Sequence, residues 1–197
     1  MAILRTTINH SARGSATLEL TPNSPIQREL VDTYSVRLWI HDQLVYDEIQ
    51  SVRNWQSGHY YIENIAKGFC AVRNWLGQRI SVLERYDEND TEQREVLLSF
   101  VTAELSTDWL IAYLKATNTN HGELVHANIF LRKSHSKVGK FEPDHKEQWG
   151  EWDDMIAGWI FCRPEDAIAF GKQLLEEMEQ VERIRVELGI PDSDETD

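Results

Sequence analysis

The amino-acid sequence predicts an α+β fold, in which a mostly antiparallel sheet built from hairpins is covered by two or three helices, including a long C-terminal one. Short β-prone runs separated by turn residues account for much of the chain. Helical spacing of apolar residues is confined to a few segments and is longest near the C-terminal end. Strands and helices do not alternate regularly, as they would in a parallel α/β sheet, so antiparallel pairing is favoured.

The first quarter of the chain is predicted to contain four strands. The third shows the clearest pattern, because Tyr34, Val36 and Leu38 occupy alternate positions, as in a strand with one buried face. A short loop at 41–43 separates the third run from the fourth, which predicts an antiparallel hairpin. The four predicted strands cover residues 2–8, 16–20, 34–40 and 44–49.

Helical spacing begins after a turn at 54–58. Apolar residues from Tyr61 onward recur every three or four positions, and Gly77 stands where such a helix would end. A second amphipathic helix is predicted over 91–105, after a polar loop that supplies an N-cap. A strand at 96–104 is the alternative, since β-branched and aromatic residues are plentiful there.

Further strands are predicted in the second half. The turn-rich stretch 118–122 lies between two apolar runs, so residues 109–132 are predicted to form a second hairpin. Residues 155–162 are apolar at successive positions, which is typical of a central strand buried on both faces. Another strand is predicted at 79–86.

The C-terminal part is predicted to form one continuous amphipathic helix over 165–188. Pro164 suits the first helical position, and Gly189 favours termination. Replacing Leu174 with alanine should cost about 2–5 kcal/mol, and replacing Glu177 almost nothing. The residues expected to be buried are Ile168, Leu174, Leu175, Met178 and Val181, and those expected to face water are Glu176, Glu177 and Glu179.

Length and composition favour a single compact domain over residues 1–190, followed by a flexible acidic tail at 191–197. A chain of 197 residues with 41% hydrophobic content can bury a core without disulfides. Cys70 and Cys162 lie inside apolar runs and are expected to be buried thiols in a reducing compartment. The chain shows no signal-peptide pattern and no apolar run of about 20 residues, so a cytoplasmic location is predicted.

The charge restricts the kinds of partner. The net charge is −13, and residues 176–197 contribute nine acids against two arginines. Binding to nucleic acid or to anionic lipid needs basic contacts, so neither a nucleic-acid nor a membrane partner is expected. The expected partner is a protein with a basic surface.

Few residue patterns in the chain point to catalysis. It lacks a Gly-x-Ser-x-Gly elbow, a Walker-type phosphate loop and a dinucleotide-binding glycine pattern. His121 and His126 are an odd number of positions apart, so on a strand they point to opposite faces and form no metal site. No metal and no cofactor are therefore predicted. The remaining catalytic candidates are His121, Glu123, His126, Asp153 and Asp154.

The connection 132–154 stands out as a candidate binding segment. Its first part is basic and its second part acidic, and two tryptophans lie among the acids. Loops longer than about 12–15 residues are usually functional or disordered. Each tryptophan is expected either to pin the segment to the core or to contact a partner. The residues predicted to bind are His145, Trp149, Glu151, Trp152, Asp153 and Asp154.

These observations support a hypothesis of function and one alternative. The first is a non-enzymatic acidic protein-binding module, such as an inhibitor, immunity-type or accessory protein, that engages a basic partner surface. The alternative is a small hydrolase or nuclease-like enzyme whose site is assembled from distant His, Glu and Asp residues.

Overall fold

The computed structural model describes residues 1–8, 15–23, 32–52, 61–75, 81–83, 95–97, 100–102, 110–119, 122–132 and 155–190. Its strands are β1 (Ala2–Arg5), β2 (Ala16–Pro22), β3 (Thr33–Ile40), β4 (Gln43–Ser51), β5 (Ser81–Leu83), β6 (Glu95–Leu97), β7 (Phe100–Thr102), β8 (Leu110–Thr119), β9 (Gly122–Arg132) and β10 (Met155–Cys162). Its helices are α1 (Tyr61–Cys70), a 3₁₀ turn (Val72–Trp75) and α2 (Pro164–Glu187). Neighbouring strands pair antiparallel, and the predicted α+β class is confirmed.

The N-terminal sheet is a four-stranded meander in the order β1-β2-β3-β4. Its register brings Leu4, Leu18 and Leu38 side by side on neighbouring strands, and all three are buried. The predicted hairpin is confirmed and turns through His41 and Asp42, whose φ values are 49° and 63°. Positive φ at both central residues matches the twist of the strands, as in a type I′ turn.

The C-terminal sheet is a second meander, in the order β7-β8-β9-β10. The predicted hairpin over 109–132 is confirmed as β8 and β9, whose last bridge pairs Thr119 with Gly122. Leu114, Ala127 and Ile160 lie in one cross-strand row and are buried. Buried apolar residues of both sheets and both helices belong to one cluster.

Residues 155–162 do not form the central strand that was predicted, because among the described strands β10 is the outer one of its sheet. Its apolar character has another cause. A Cβ atom at Gly158 would lie 3.0 Å from the side chain of Leu38, so this face of β10 packs on the N-terminal sheet. The backbone N–H groups of Thr7 and Ile8 donate to the Phe161 carbonyl at 2.9 and 3.2 Å, which occupies part of the strand's free edge.

The helix predicted over 91–105 is also wrong for the described part of that segment. Residues 95–97 form β6 and pair with β5, which lies within the strand predicted at 79–86. Residues 100–102 form β7 and pair with β8. The alternative prediction, a strand, is therefore the correct one for these residues. Their β-branched and aromatic side chains favour a strand ladder, in which the backbone groups find hydrogen-bond partners.

The two helices pack against each other. The rings of Phe69 and Phe170 meet edge to face, with centroids 4.9 Å apart. Helix α1 begins at Tyr61 as predicted but ends at Cys70, and the 3₁₀ turn follows it. Gly77, the predicted end, lies outside the described residues.

Helix α2 confirms the long C-terminal helix. Pro164 occupies its first position, and the N–H of Arg163 donates to Asp166 Oδ2 at 3.3 Å, which caps the helix start. Of the residues predicted to be buried, Leu174, Met178 and Val181 are buried, whereas Ile168 and Leu175 are half-buried at the margin of the core.

The expectation that Glu177 faces water is wrong. Its side chain is 3% exposed, although Glu176 and Glu179 are exposed as predicted. Glu177 Oε1 accepts hydrogen bonds from the α-amino group of Met1 and from Gln173 Nε2, the second at 2.7 Å. The carboxylate is buried because this cationic group, 176 positions away in the chain, lies beside it. We therefore expect Glu177→Ala to lower the free energy of unfolding, and not to be almost neutral as predicted from the sequence.

The C-terminal end of α2 is held by Arg185, which is 1% exposed. Its Nε lies 3.2 Å from Glu182 Oε2, and the two residues form an i, i+3 ion pair. Its Nη1 donates to the Ile190 carbonyl at 3.2 Å and ties the chain beyond the helix to the last turn. Residues 191–197, predicted to be a mobile tail, lie outside the described residues.

None of the described helices is both long enough and apolar enough to cross a bilayer.

Candidate functional site

Two of the catalytic candidates, Glu123 and His126, lie on β9. They are three positions apart, so their side chains point to opposite faces of the sheet. Glu123 Oε2 accepts from Arg73 Nη1 at 3.1 Å, and the His126 ring stacks on Phe161. The structure therefore does not bring these two side chains together.

The other catalytic candidates, His121, Asp153 and Asp154, lie outside the described residues, as do all six residues predicted to bind a partner from the 132–154 connection. Both sets remain predictions. Among the residues that the structure does describe, no group of three or more His, Cys, Asp or Glu side chains is placed to hold a metal ion.

The two thiols are unbridged. Cys162 is buried, and desolvation by burial raises its pKa to about 12. Cys70 is half-buried, and burial raises its pKa as well. A thiol with a raised pKa is a poor nucleophile at neutral pH, so neither cysteine is suited to covalent catalysis.

A concave site does exist on the helical side of the molecule, where α1 and α2 meet the surface. We call it the interhelical groove, and its cavity volume is about 490 Å³. Such a volume lies within the range of ligand-sized pockets. The groove is lined by Glu63, Leu175, Met178, Glu179, Glu182 and Arg183.

The spacing of the α2 residues explains how the groove arises. The other four α2 residues that line it lie three, four, seven and eight positions after Leu175, so all five share one face of the helix. Glu63 enters from the first turn of α1 and forms the opposite wall. The floor is apolar, because half-buried Leu175 lies next to Met178, which is 6% exposed.

The rim of the groove carries three carboxylates and one guanidinium group. Glu63 is paired with Lys67 at 2.5 Å, and Glu182 with Arg185 at 3.2 Å. Arg183 donates from Nε to the backbone carbonyl of Glu179 at 3.2 Å and not to its carboxylate. Within the described part of the chain, the Glu179 carboxylate has no ion pair, so it is the rim charge most open to an incoming cation.

Only the α2 half of this groove is indicated by the sequence. The helical periodicity of α2 distinguishes a buried face, which includes Met178, from an exposed face, which includes Glu179. The groove runs along the boundary between these two faces. No sequence signal connects Glu63 to this boundary, because Glu63 belongs to a helix 100 residues earlier in the chain that meets α2 only on folding. Leu175 was expected to be core, and its partial exposure supplies the floor.

The arrangement is suited to binding a cationic, partly apolar group. An apolar floor with carboxylates on both walls offers burial to an aliphatic side chain and ion pairs to cations around it. Among the described residues that line the groove, the ionisable groups are three carboxylates and one guanidinium group.

Comparisons with known proteins gave no match. No protein-family model, no curated protein and no solved structure matches the chain significantly.

Proposed function

We propose that this protein is a non-enzymatic binding module of the inhibitor, immunity or accessory kind, and that it engages a basic surface of a partner protein. The observation that carries the proposal is the interhelical groove, whose apolar floor is bordered by carboxylates. The net charge of −13 acts in the same direction at longer range, since it attracts cationic surfaces before contact.

The two parts of the groove would contribute differently to binding. Burial of apolar surface at the floor supplies a favourable free energy, from which the cost of ordering the two partners is subtracted. Rim charges mainly raise the association rate and exclude partners of the wrong sign. An acidic rim therefore predicts selectivity for Lys- and Arg-bearing partners and a strong dependence on salt, because exposed charges are screened within about 10 Å at 0.1 M ionic strength.

The proposal is tested with two synthetic peptides that share one amphipathic pattern of leucines, one with lysines and the other with glutamates at the polar positions. Fluorescence anisotropy would measure the binding of each labelled peptide to the full chain at low and at physiological ionic strength. We expect the lysine peptide to bind, with an affinity that falls as salt is added, and the glutamate peptide not to bind. Equal binding of the two peptides, or no binding of either, would contradict the proposal.

A further inference from the structure

We infer that the interhelical groove is the docking site for one amphipathic basic helix of the partner, which lies between α1 and α2 and forms a three-helix contact. The inference rests on the proposed function and specifies its partner. It concerns the shape of the bound segment as well as its charge.

The dimensions of the groove favour a helix. From Leu175 to Arg183 the α2 wall covers nine residues, and the rise between the first and the last is about 12 Å at 1.5 Å per residue, slightly more than two helical turns. Across it stands α1, so the groove has a helix on each side. A third helix would place apolar side chains at i and i+3 or i+4 over Leu175 and Met178, as in other helix-in-groove complexes.

An extended segment fits the groove less well. Bound strands gain their affinity by hydrogen bonding to the edge of a sheet. The described residues that line the groove belong to two helices, and none of them lies on a strand edge. A helix carries its backbone hydrogen bonds with it, so it can lie on an apolar floor with its backbone groups already satisfied.

The charges define the sequence pattern of the bound helix. Glu63 lies on the α1 wall, and Glu179 and Glu182 lie on the α2 wall. Because Glu63 and Glu182 already pair with Lys67 and Arg185, a basic residue is expected above all on the flank of the partner helix that faces Glu179. Arg183 follows Glu182 and, of the residues that line the groove, lies nearest the C-terminal end of α2. We therefore expect the partner helix to carry no basic residue opposite Arg183, where two positive charges would repel each other.

A second copy of this chain is a poorer occupant. It would bring its own acidic surface, with a net charge of −13, against an acidic rim. Like charges placed opposite each other at an interface oppose association. Charge complementarity therefore selects a different, basic protein.

The test uses the leucine–lysine peptide, together with a version of the same composition in which a central proline prevents helix formation. Glu179→Lys reverses the rim charge that has no ion pair among the described residues. Glu176→Lys is its matched control, because it makes the same charge change at an exposed position of α2 that does not line the groove. Leu175→Asn and Val186→Asn form a second pair, since Val186 is 67% exposed and does not line the groove. Thermal melts monitored by circular dichroism would establish that each variant is folded.

We expect Glu179→Lys and Leu175→Asn each to weaken peptide binding by about tenfold, the equivalent of 1.4 kcal/mol. The two controls should change the affinity by less than about twofold, and the proline peptide should bind at least about tenfold more weakly than its helical counterpart. Equal effects of Glu179→Lys and Glu176→Lys, equal binding of the two peptides, or a dimer of the free chain that Glu179→Lys disrupts would overturn the docking site and leave the proposed function standing. Failure of the leucine–lysine peptide to bind the unmodified chain would overturn both.

Discussion

The ring of Phe161 on β10 lies nearly flat against the imidazole of His126 on β9, with centroids 4.4 Å apart and planes 14° apart. The two residues are direct cross-strand partners, and Phe161 is 4% exposed. Cross-strand pairs of this kind stabilise a sheet through side-chain contact. The position of His126 is therefore explained by packing.

Substitution of this pair should reveal its structural role. Phe161→Ala is expected to cost about 3–5 kcal/mol, because it removes a buried aromatic ring. His126→Ala should cost less, about 0.5–1.5 kcal/mol, the usual contribution of an aromatic contact. Urea denaturation of the two single variants and the double variant would measure both costs and their coupling. Additive costs, with no coupling energy, would contradict the stacking interaction.

Glu177 should contribute to stability, contrary to what its position in an acidic helix suggests. Glu177→Ala removes the acceptor shared by the Met1 ammonium and Gln173, and hydrogen bonds of charged groups contribute about 1.5–3 kcal/mol. Glu176→Ala is the matched control, since Glu176 is exposed and should be replaceable at almost no cost. Equal denaturation midpoints for the two variants would show that the buried carboxylate is not stabilising.

Gly171 allows α1 and α2 to approach closely. A Cβ atom there would lie 2.6 Å from the Ala66 carbonyl oxygen and 2.9 Å from Cys70 Sγ. Gly171→Ala should therefore destabilise the protein by about 1–3 kcal/mol through overpacking, despite a helix-propensity gain of up to about 1 kcal/mol.

Gly158→Ala provides a comparison for this prediction. The added methyl would meet only side-chain atoms, the two terminal methyl groups of Leu38 at 3.0 and 3.2 Å and Ala16 Cβ at 3.6 Å. Since the Leu38 methyl groups can rotate away, the loss in melting temperature should be smaller than for Gly171→Ala. The reverse order would show that the helices are not packed through Gly171.

Stability should fall at alkaline pH. Burial raises the pKa of Cys162 from 9.0 to about 12, so the folded state holds the thiol proton more tightly than the unfolded state does. The resulting contribution to stability is complete below pH 9.0 and is lost as the pH rises through about 12. Burial also raises the pKa values of Tyr34 and Tyr46, with the same sign.

Denaturation midpoints measured across this pH range would test the prediction, with Cys162→Ala as the comparison. The variant should lose stability less steeply with pH, because one of the groups with a raised pKa is absent. Identical slopes for the two proteins would contradict a buried thiol.

How much of the fold can be predicted depends on how local its causes are. The alternation from Tyr34 to Leu38 predicts a strand, and the stripe through Leu174 and Met178 predicts the last helix, because both patterns depend on neighbouring residues. For residues 95–97 and 100–102 the sequence predicts a helix, but they form strands. The structure of such short segments with mixed propensities is decided by the strands they pair with.

The candidate site depends on contacts that no local pattern encodes. The burial of Glu177 needs the Met1 ammonium, and the groove needs Glu63 opposite Glu179. Both pairs come from distant parts of the chain. The acidity that favours a basic partner is therefore visible in the sequence, whereas the surface that would receive the partner appears only in the folded chain.

Binding of a basic partner in the interhelical groove is tested most directly by backbone amide chemical shifts, recorded as the full chain is titrated with the leucine–lysine peptide. We predict that the largest changes fall on the residues that line the interhelical groove, namely Glu63, Leu175, Met178, Glu179, Glu182 and Arg183. The amides around His126 and Phe161, on the C-terminal sheet, should change little. Changes centred on that sheet, or no changes at saturating peptide, would contradict the claim that the protein binds a basic partner through this groove.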